Sequence, residues 1–234
     1  LYTHPEVGYR LQELPDAHEI TATLCSVKAL KEKHQLRLSF HPDQFTLLSS
    51  PRPEVTAASL KELAYQGMLA ELIGADVINI HGGGVYGDKL SALSRLSKEI
   101  SALPEPIRSR LTLENDDRSY TVEDLLPVCE QLGIPLVYDV HHHRCNPDGL
   151  TVATATEACL QSWRRLGREP HFHISSPKHG WNGKPGPHAD FIDIADFPAE
   201  WHGLDATIDV EAKAKELAVL KLKKDLSLPS WTGD

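Results

Sequence analysis

Short apolar or β-branched runs alternate with longer amphipathic ones along the whole chain, and this alternation limits the possible folds more than any other feature. "LRLSF" (36–40), "DVINI" (76–80), "LTLEN" (111–115), "LVYDV" (136–140), "HFHIS" (171–175) and "ATIDVE" (206–211) read as strands. Helical spacing appears near residues 17–34, 53–73, 90–102, 122–132, 153–166 and 212–225. Over 53–73 the spacing predicts one apolar face made of Leu60, Leu63, Ala64, Met68 and Leu72. Thr121 with Asp124 predicts a capping box, and Gly133 the stop of the helix that follows. Strand, helix, strand in this order needs right-handed crossovers, and hence a parallel sheet.

No linker, repeat or low-complexity segment interrupts the pattern, so a single domain over residues 1–234 is expected. The six strand candidates fall short of the eight in a closed α/β barrel. The chain opens at Leu1 with a helix ahead of the first strand, so the expected architecture is such a barrel lacking its first two strand–helix units. Two bare sheet edges would make the chain weakly stable or prone to aggregate when expressed alone. An open doubly wound sheet shares the alternation, but its G-x-G-x-x-G fingerprint is absent and "HGGGVYGD" has the wrong spacing.

Hydrophobic content of 41% and charged content of 24% suit a globular protein. No apolar run approaches the roughly 18–20 residues of a membrane span, and no signal-peptide pattern opens the chain. Cys25, Cys129, Cys145 and Cys159 form no C-x-x-C and read as reduced thiols of a cytoplasmic protein. The formal charge of −9 argues against a broadly basic nucleic-acid surface. Acidic metal ligands, however, enter that sum without the cations they bind.

The strand candidates end alike. His41 closes the first in "FHPDQ", His81 the second in "NIHGGG" and Glu114 the third in "LEND". Asp139 and His142 follow in "YDVHHH", His173 in "HFHISS" and Glu211 in "DVEAK". With 33 acidic residues and 13 histidines among 234, some polar endings are unremarkable, and a lone histidine is more often structural than a ligand. A metal-competent group on every strand exceeds that background, and carboxylates inside strands are rarely buried without a partner. The carboxyl ends of barrel strands are where active sites form. Imidazoles and carboxylates without a thiolate suit Mn²⁺ or Zn²⁺, and their number exceeds what one ion uses. Two or three ions sharing carboxylates typically clamp a phosphate and activate water. Lys213 and Lys215 follow the last strand candidate and read either as phosphate contacts or as a solvated helix face. Arg144 and Lys178 are further candidate phosphate contacts, and Trp181 either borders a groove on that face or packs its own loop.

Taken in order, "HPDQF", "HGGG", "LEND", "DVHHH", "HISS", "PGPHADFI" and "DVEAKAKE" resemble the UV-damage endonucleases, from "THP" at 3–5 to about residue 218. The resemblance implies a TIM (β/α) barrel, related to apurinic endonucleases and to xylose-isomerase-like sugar enzymes. It implies metal ligands at His4, His41, His81, Glu114, Asp139, His142, His173, His188 and Glu211. Glu114 would bridge two ions. Asp139, His173 and Glu211 would complete the buried ion, and His142 and His188 would hold the most exposed one. Gln44 and Phe45 match a pair that pushes into the duplex opposite a lesion; a ring can replace base stacking while the amide satisfies exposed base edges. A loop-anchoring aromatic is the alternative for Phe45. His171 stands where some members have a lysine.

The implied activity is a DNA repair endonuclease that nicks immediately 5′ to a UV photoproduct by metal-activated hydroxide attack, leaving a 3′-hydroxyl and a 5′-phosphate. Glu114, Asp139 and Glu211 are its catalytic carboxylates, and Gln44, Phe45, Arg144, Lys178 and Lys213 its DNA contacts. Two to three divalent ions per chain are expected, Mn²⁺ foremost, with Zn²⁺ or Mg²⁺ as alternatives. The expected partner is damaged double-stranded DNA, with no membrane and a monomeric chain. Two other readings use the same residues: a metal-dependent sugar isomerase or epimerase, and a truncated metal- or DNA-binding fragment without turnover.

Overall fold

The computed structural model describes residues 8–228. His4, expected as a ligand, lies outside them. The chain falls into two compact units, Leu1–Leu113 with Gln131–Ile134, and Glu114–Glu130 with Pro135–Asp234.

In the first unit, α1 (Ala17–Lys33) precedes β1 (Ser39–Phe40), α2 (Pro53–Ile73) and β2 (Val77–His81). Next come α3 (Lys89–Ser101), the short α4 (Glu105–Arg108) and β3 (Leu111–Glu114), whose last residue opens the second unit. β1 and β2 are parallel, with Ser39 beside Val77 and Phe40 beside Ile78. β3 approaches β2 through the Ile78 amide, which donates to the Arg110 carbonyl at 2.8 Å. The first strand is shorter than "LRLSF" predicts: Leu36 is exposed, and Arg37 turns instead to an ion pair with Asp76 at 2.8 Å.

α2 begins at Pro53, where the missing N–H costs nothing, and ends at Gly74, whose φ of 72° a Cβ would resist. Its buried line is Ser59, Leu63, Gly67 and Ala70, which corrects the predicted face: Ala64 is exposed, and Leu60, Met68 and Leu72 are half-buried. Packing, not hydrophobicity, sets this choice. A Cβ on Gly67 would stand 2.7 Å from Ile107 Cγ1, so α2 meets the α4 region through its smallest residue.

α5 (Val122–Leu132) starts as predicted. The Thr121 amide donates to Asp124 Oδ2 at 2.9 Å, the Asp124 amide lies 3.3 Å from Thr121 Oγ1, and Gly133 follows with φ 65°. The second unit continues with β4 (Leu136–Asp139), α6 (Val140–Cys145), α7 (Val152–Arg164), β5 (His171–Ile174), β6 (Thr207–Val210) and α8 (Glu216–Asp225). β4, β5 and β6 are parallel neighbours in that order. Their register sets Asp139 beside His173, and His173 beside Asp209. The core behind them is aromatic: the Phe172 and Trp201 rings lie 5.3 Å apart, with Tyr138 5.8 Å from Phe172. β5 is fully buried, whereas β6 is half-buried throughout.

Two further boundaries differ from expectation. The chain turns from β4 into α6 without a loop, because Asp139 caps the helix by accepting from the His142 amide at 2.8 Å. The last helix starts at Glu216, not at 212. The Lys213 and Ala214 amides donate to the Ala189 and Asp190 carbonyls, each at 3.0 Å, which holds residues 211–215 on a loop.

Candidate metal centre

Register sets Asp139, His173 and Asp209 side by side on β4, β5 and β6, and Glu114 closes β3. Glu114 and Asp139 are fully buried at the ends of their strands, and His173 is almost so. His173 Nδ1 lies 3.2 Å from Glu114 Oε1 and 3.2 Å from Glu211 Oε1. His142 Nδ1 lies 3.3 Å from Glu114 Oε1 and from Asp139 Oδ2. Donor atoms of Glu114, Asp139 and His142 all fall within 4.8 Å of one another. His188 Nδ1 extends the group, 3.7 Å from Glu211 Oε2.

His188 arrives on a long loop that closes on itself. The Lys178 amide donates to the Pro187 carbonyl at 2.7 Å, and the Ala189 amide to the Ser176 carbonyl at 2.8 Å. Trp181 pins this loop through Nε1, which donates to Asp196 Oδ1 at 2.8 Å, while Arg144 Nη1 donates to the Asp196 carbonyl at 2.7 Å. Trp181, 39% exposed, is thus anchored to Asp196, and Arg144 is engaged beside it, 5.8 Å from the indole centre. The side chains of Lys178 and Lys213 are exposed.

Asn115 is a residue the sequence reading missed. Its Nδ2 donates to the Asp139 carbonyl at 2.8 Å, and its Oδ1 accepts the Asp139 amide at 3.0 Å. It thus ties the end of β3 to the end of β4 and sets the spacing of two carboxylates. Its place beside Glu114 in "LEND" was the available signal.

The electrostatics suit a bound cation. Burial, reinforced by Glu211 and Glu114, pushes the Asp139 carboxyl up to about 7, and its Oδ2 is buried without a hydrogen bond. Burial opposes a charged His142, but Asp139 and Glu114 outweigh it and raise the ring to about 10. His173 is likewise raised, against burial, by Glu114 and Glu211. Burial would lift Glu211, yet His173 brings it below its ordinary value. Positive charge on the imidazoles thus offsets three clustered carboxylates. Divalent ions would do the same more completely, and the oxygen and nitrogen donors, with no thiolate among them, fit Mn²⁺, Zn²⁺ or Mg²⁺. The neighbouring His141 differs: burial, with His188 and His142 close by, lowers it to about 4.

In the first unit the His41 and His81 rings stand 5.1 Å apart, His41 exposed and His81 half-buried. Gln44 and Phe45 follow on an exposed loop, Phe45 with 71% of its surface open. The loop is firm beneath them. Asp43 Oδ1 accepts the Phe45 amide at 2.7 Å, and the Leu47 amide donates to Ser59 Oγ of α2 at 2.8 Å.

Parallel strands alternating with helices, with carboxylates and imidazoles at their carboxyl ends, fit an α/β protein of the TIM-barrel class, in which that end of the strands is where active sites form. Comparison with known proteins agrees. The family model for UV-endonuclease UvdE matches residues 1–231. A protein named UV DNA damage endonuclease from Bacillus velezensis is 42% identical over 236 residues, covering 97% of this chain and 72% of its own. The solved structure of SacUVDE superposes with a TM-score of 0.86 at 29% identity, covering 97% of this chain and 76% of that one. The chain belongs to the UV-endonuclease UvdE family. Endonuclease IV from Thermus thermophilus (TM-score 0.65, 19% identity, 88% of this chain and 81% of that one) shares the fold. So does D-psicose 3-epimerase from Clostridium cellulolyticum (0.60, 14%, 88% and 76%). These two likenesses concern the fold alone, which hosts both nucleases and sugar enzymes.

Proposed function

We propose that this protein is a DNA repair endonuclease that cuts one strand of a duplex immediately 5′ to a UV photoproduct, leaving a 3′-hydroxyl and a 5′-phosphate. The observation that supports it best is the gathering of Glu114, Asp139 and Glu211 around His142 and His173, with contacts of 3.2–3.3 Å. Two to three divalent ions, Mn²⁺ foremost, would supply, when bound, Lewis acidity that lowers the pKa of water and screens the phosphodiester. Glu114 faces both imidazoles and is the carboxylate suited to bridge two ions. Asp139, His173 and Glu211 would hold the buried ion, and His142 and His188 the most exposed one. His41, His81 and His4 enter the ligand set from the family resemblance.

Phe45 and Gln44 stand exposed on a firm loop, ready to fill the gap left when a lesion leaves the stack. Lesion choice then follows from deformability, because a damaged dinucleotide pairs poorly and costs less to extrude. Lys178 and Lys213 provide exposed positive charge for the phosphate backbone. Among the described residues no helix is long and apolar enough to cross a membrane. The proposal places the protein in the cytoplasm as a monomer.

The test is a duplex with one cyclobutane dimer, incubated with the protein with and without Mn²⁺. Nicking 5′ to the dimer that stops on chelation is expected, and Glu114→Gln abolishes it while lesion binding stays measurable. Equal cutting of undamaged duplex, or cutting indifferent to chelator, overturns the assignment.

A further inference from the structure

His171 and Asp209 lie beside the ligand cluster but outside the ligand set proposed above. Both project toward it for a simple reason. Register puts Asp209 of β6 next to His173 of β5, and strand alternation gives His171 the same face as His173. Asp209 Oδ2 lies 2.8 Å from His171 Nε2 and 3.7 Å from His173 Nε2. The other nitrogen of His173, Nδ1, faces Glu114 and Glu211 at 3.2 Å each. Both imidazoles are buried, whereas the Asp209 carboxylate is half-exposed.

A ligating imidazole is neutral and carries one proton, so only one of its nitrogens offers a lone pair. For Nδ1 of His173 to face an ion held by Glu114 and Glu211, the proton must sit on Nε2. Asp209 Oδ2 stands 3.7 Å from Nε2, a charge contact longer than a hydrogen bond, and His171 donates to that same carboxylate from the wall of the sheet. Donor atoms of His171, His173 and Asp209 also come within 4.8 Å of one another. An ion there would use the second nitrogen of His173 as well, which requires the ring to lose its last proton.

The geometry points to Asp209 as a positioning residue, braced by His171, that keeps His173 in the Nε2–H tautomer and turns Nδ1 toward Glu114 and Glu211. Carboxylate partners of metal-bound histidines act in this way generally. The inference rests on His173 being a metal ligand, as proposed above.

The experiment loads the full chain, ¹⁵N-labelled at histidine, with Zn²⁺ as a diamagnetic probe and reads each ring nitrogen by long-range ¹H–¹⁵N correlation. His173 is expected to show a protonated Nε2 and a coordinated Nδ1. Asp209→Leu should lower Zn²⁺ affinity about 10–100-fold without changing the number of ions per chain or the melting of the metal-free protein. Asp209→Asn, which keeps an acceptor, should recover much of that loss. His171→Leu should weaken binding in the same direction, and His171→Gln, which keeps a donor, should not. Coordination through Nε2, a His173 left unligated at saturating Zn²⁺, unchanged affinity in Asp209→Leu, or loss of one ion per chain would each overturn the inference. Failure to nick damaged DNA with the His173 tautomer as expected would sink the nuclease proposal and leave this one standing.

Discussion

Asp148 shows how one carboxylate can anchor the helix that follows β4. His143 Nδ1 lies 2.6 Å from the Tyr138 hydroxyl, and its Nε2 lies 3.1 Å from Asp148 Oδ1. Burial alone would raise the Asp148 carboxyl, but the Glu123 and Leu150 amides, with His143, bring it below its ordinary value. A carboxylate whose pKa falls on folding adds stability above its unfolded value, near 4, and loses it as pH drops through the folded one. Asp148→Asn should therefore cost about 1.5–3 kcal/mol at pH 7. The deficit should shrink below about pH 4, which denaturant melts across that range will show; a constant deficit would refute the ionised role. Phe45 is the opposite kind of residue. Being mostly exposed, it should tolerate Ala within about 0.5 kcal/mol of stability. If it stacks in a duplex gap, the same change should weaken binding to a dimer-containing duplex by about 1–3 kcal/mol, measured by titration. Side chains at strand ends, such as Glu114 and His173, were legible because their position follows from strand length alone. Asn115, Asp209 and Asp148 were not, because the partners that define them, Asp139, His171 and Glu123, lie 24 or more residues away.

Among the elements, α2 and α8 show where local reading stops. The helical period of α2 was plain, but its buried line was set by what it meets: Gly67 lies against Ile107, with a contact no Cβ could share. Gly67→Ala gains up to about 1 kcal/mol of helix propensity. The clash should cost about 1–3 kcal/mol and leave a net loss. Combining it with Ile107→Ala should then cost less than the two changes added together, and thermal melts of the cycle will show it. Additive losses would mean that the contact is not limiting. α8 begins late because the Lys213 and Ala214 amides find carbonyl partners at Ala189 and Asp190. Helix propensity cannot foresee such a competitor. The turn into α6 was hidden for a related reason: Asp139 was read as a ligand, and the same carboxylate also caps the helix that carries His142.

For the molecule as a whole, buried carboxylates are a standing cost that bound cations relieve. An ion at 100 times its dissociation constant adds about 2.7 kcal/mol to stability. Chelation should therefore lower the melting temperature by about 5–10 °C, as scanning calorimetry can measure; a melt unmoved by Mn²⁺ and chelator would argue against a metal centre here. The formal charge of −9 is compatible with this view, since carboxylates that bound ions would weigh in it without them. What the sequence determined by itself was the parallel α/β pattern, the capping of α5 and the run of acidic and imidazole groups at the strand ends. Those features depend on periodicity and on neighbours within a few residues. Tertiary structure alone decided which line of α2 is buried, where α8 begins, how His188 is delivered on its loop, and that Asn115 and Asp209 stand beside the carboxylate–imidazole cluster. Each of those outcomes depends on strand register, on close packing, or on hydrogen bonds between residues far apart in the chain, and a linear string does not carry such distances.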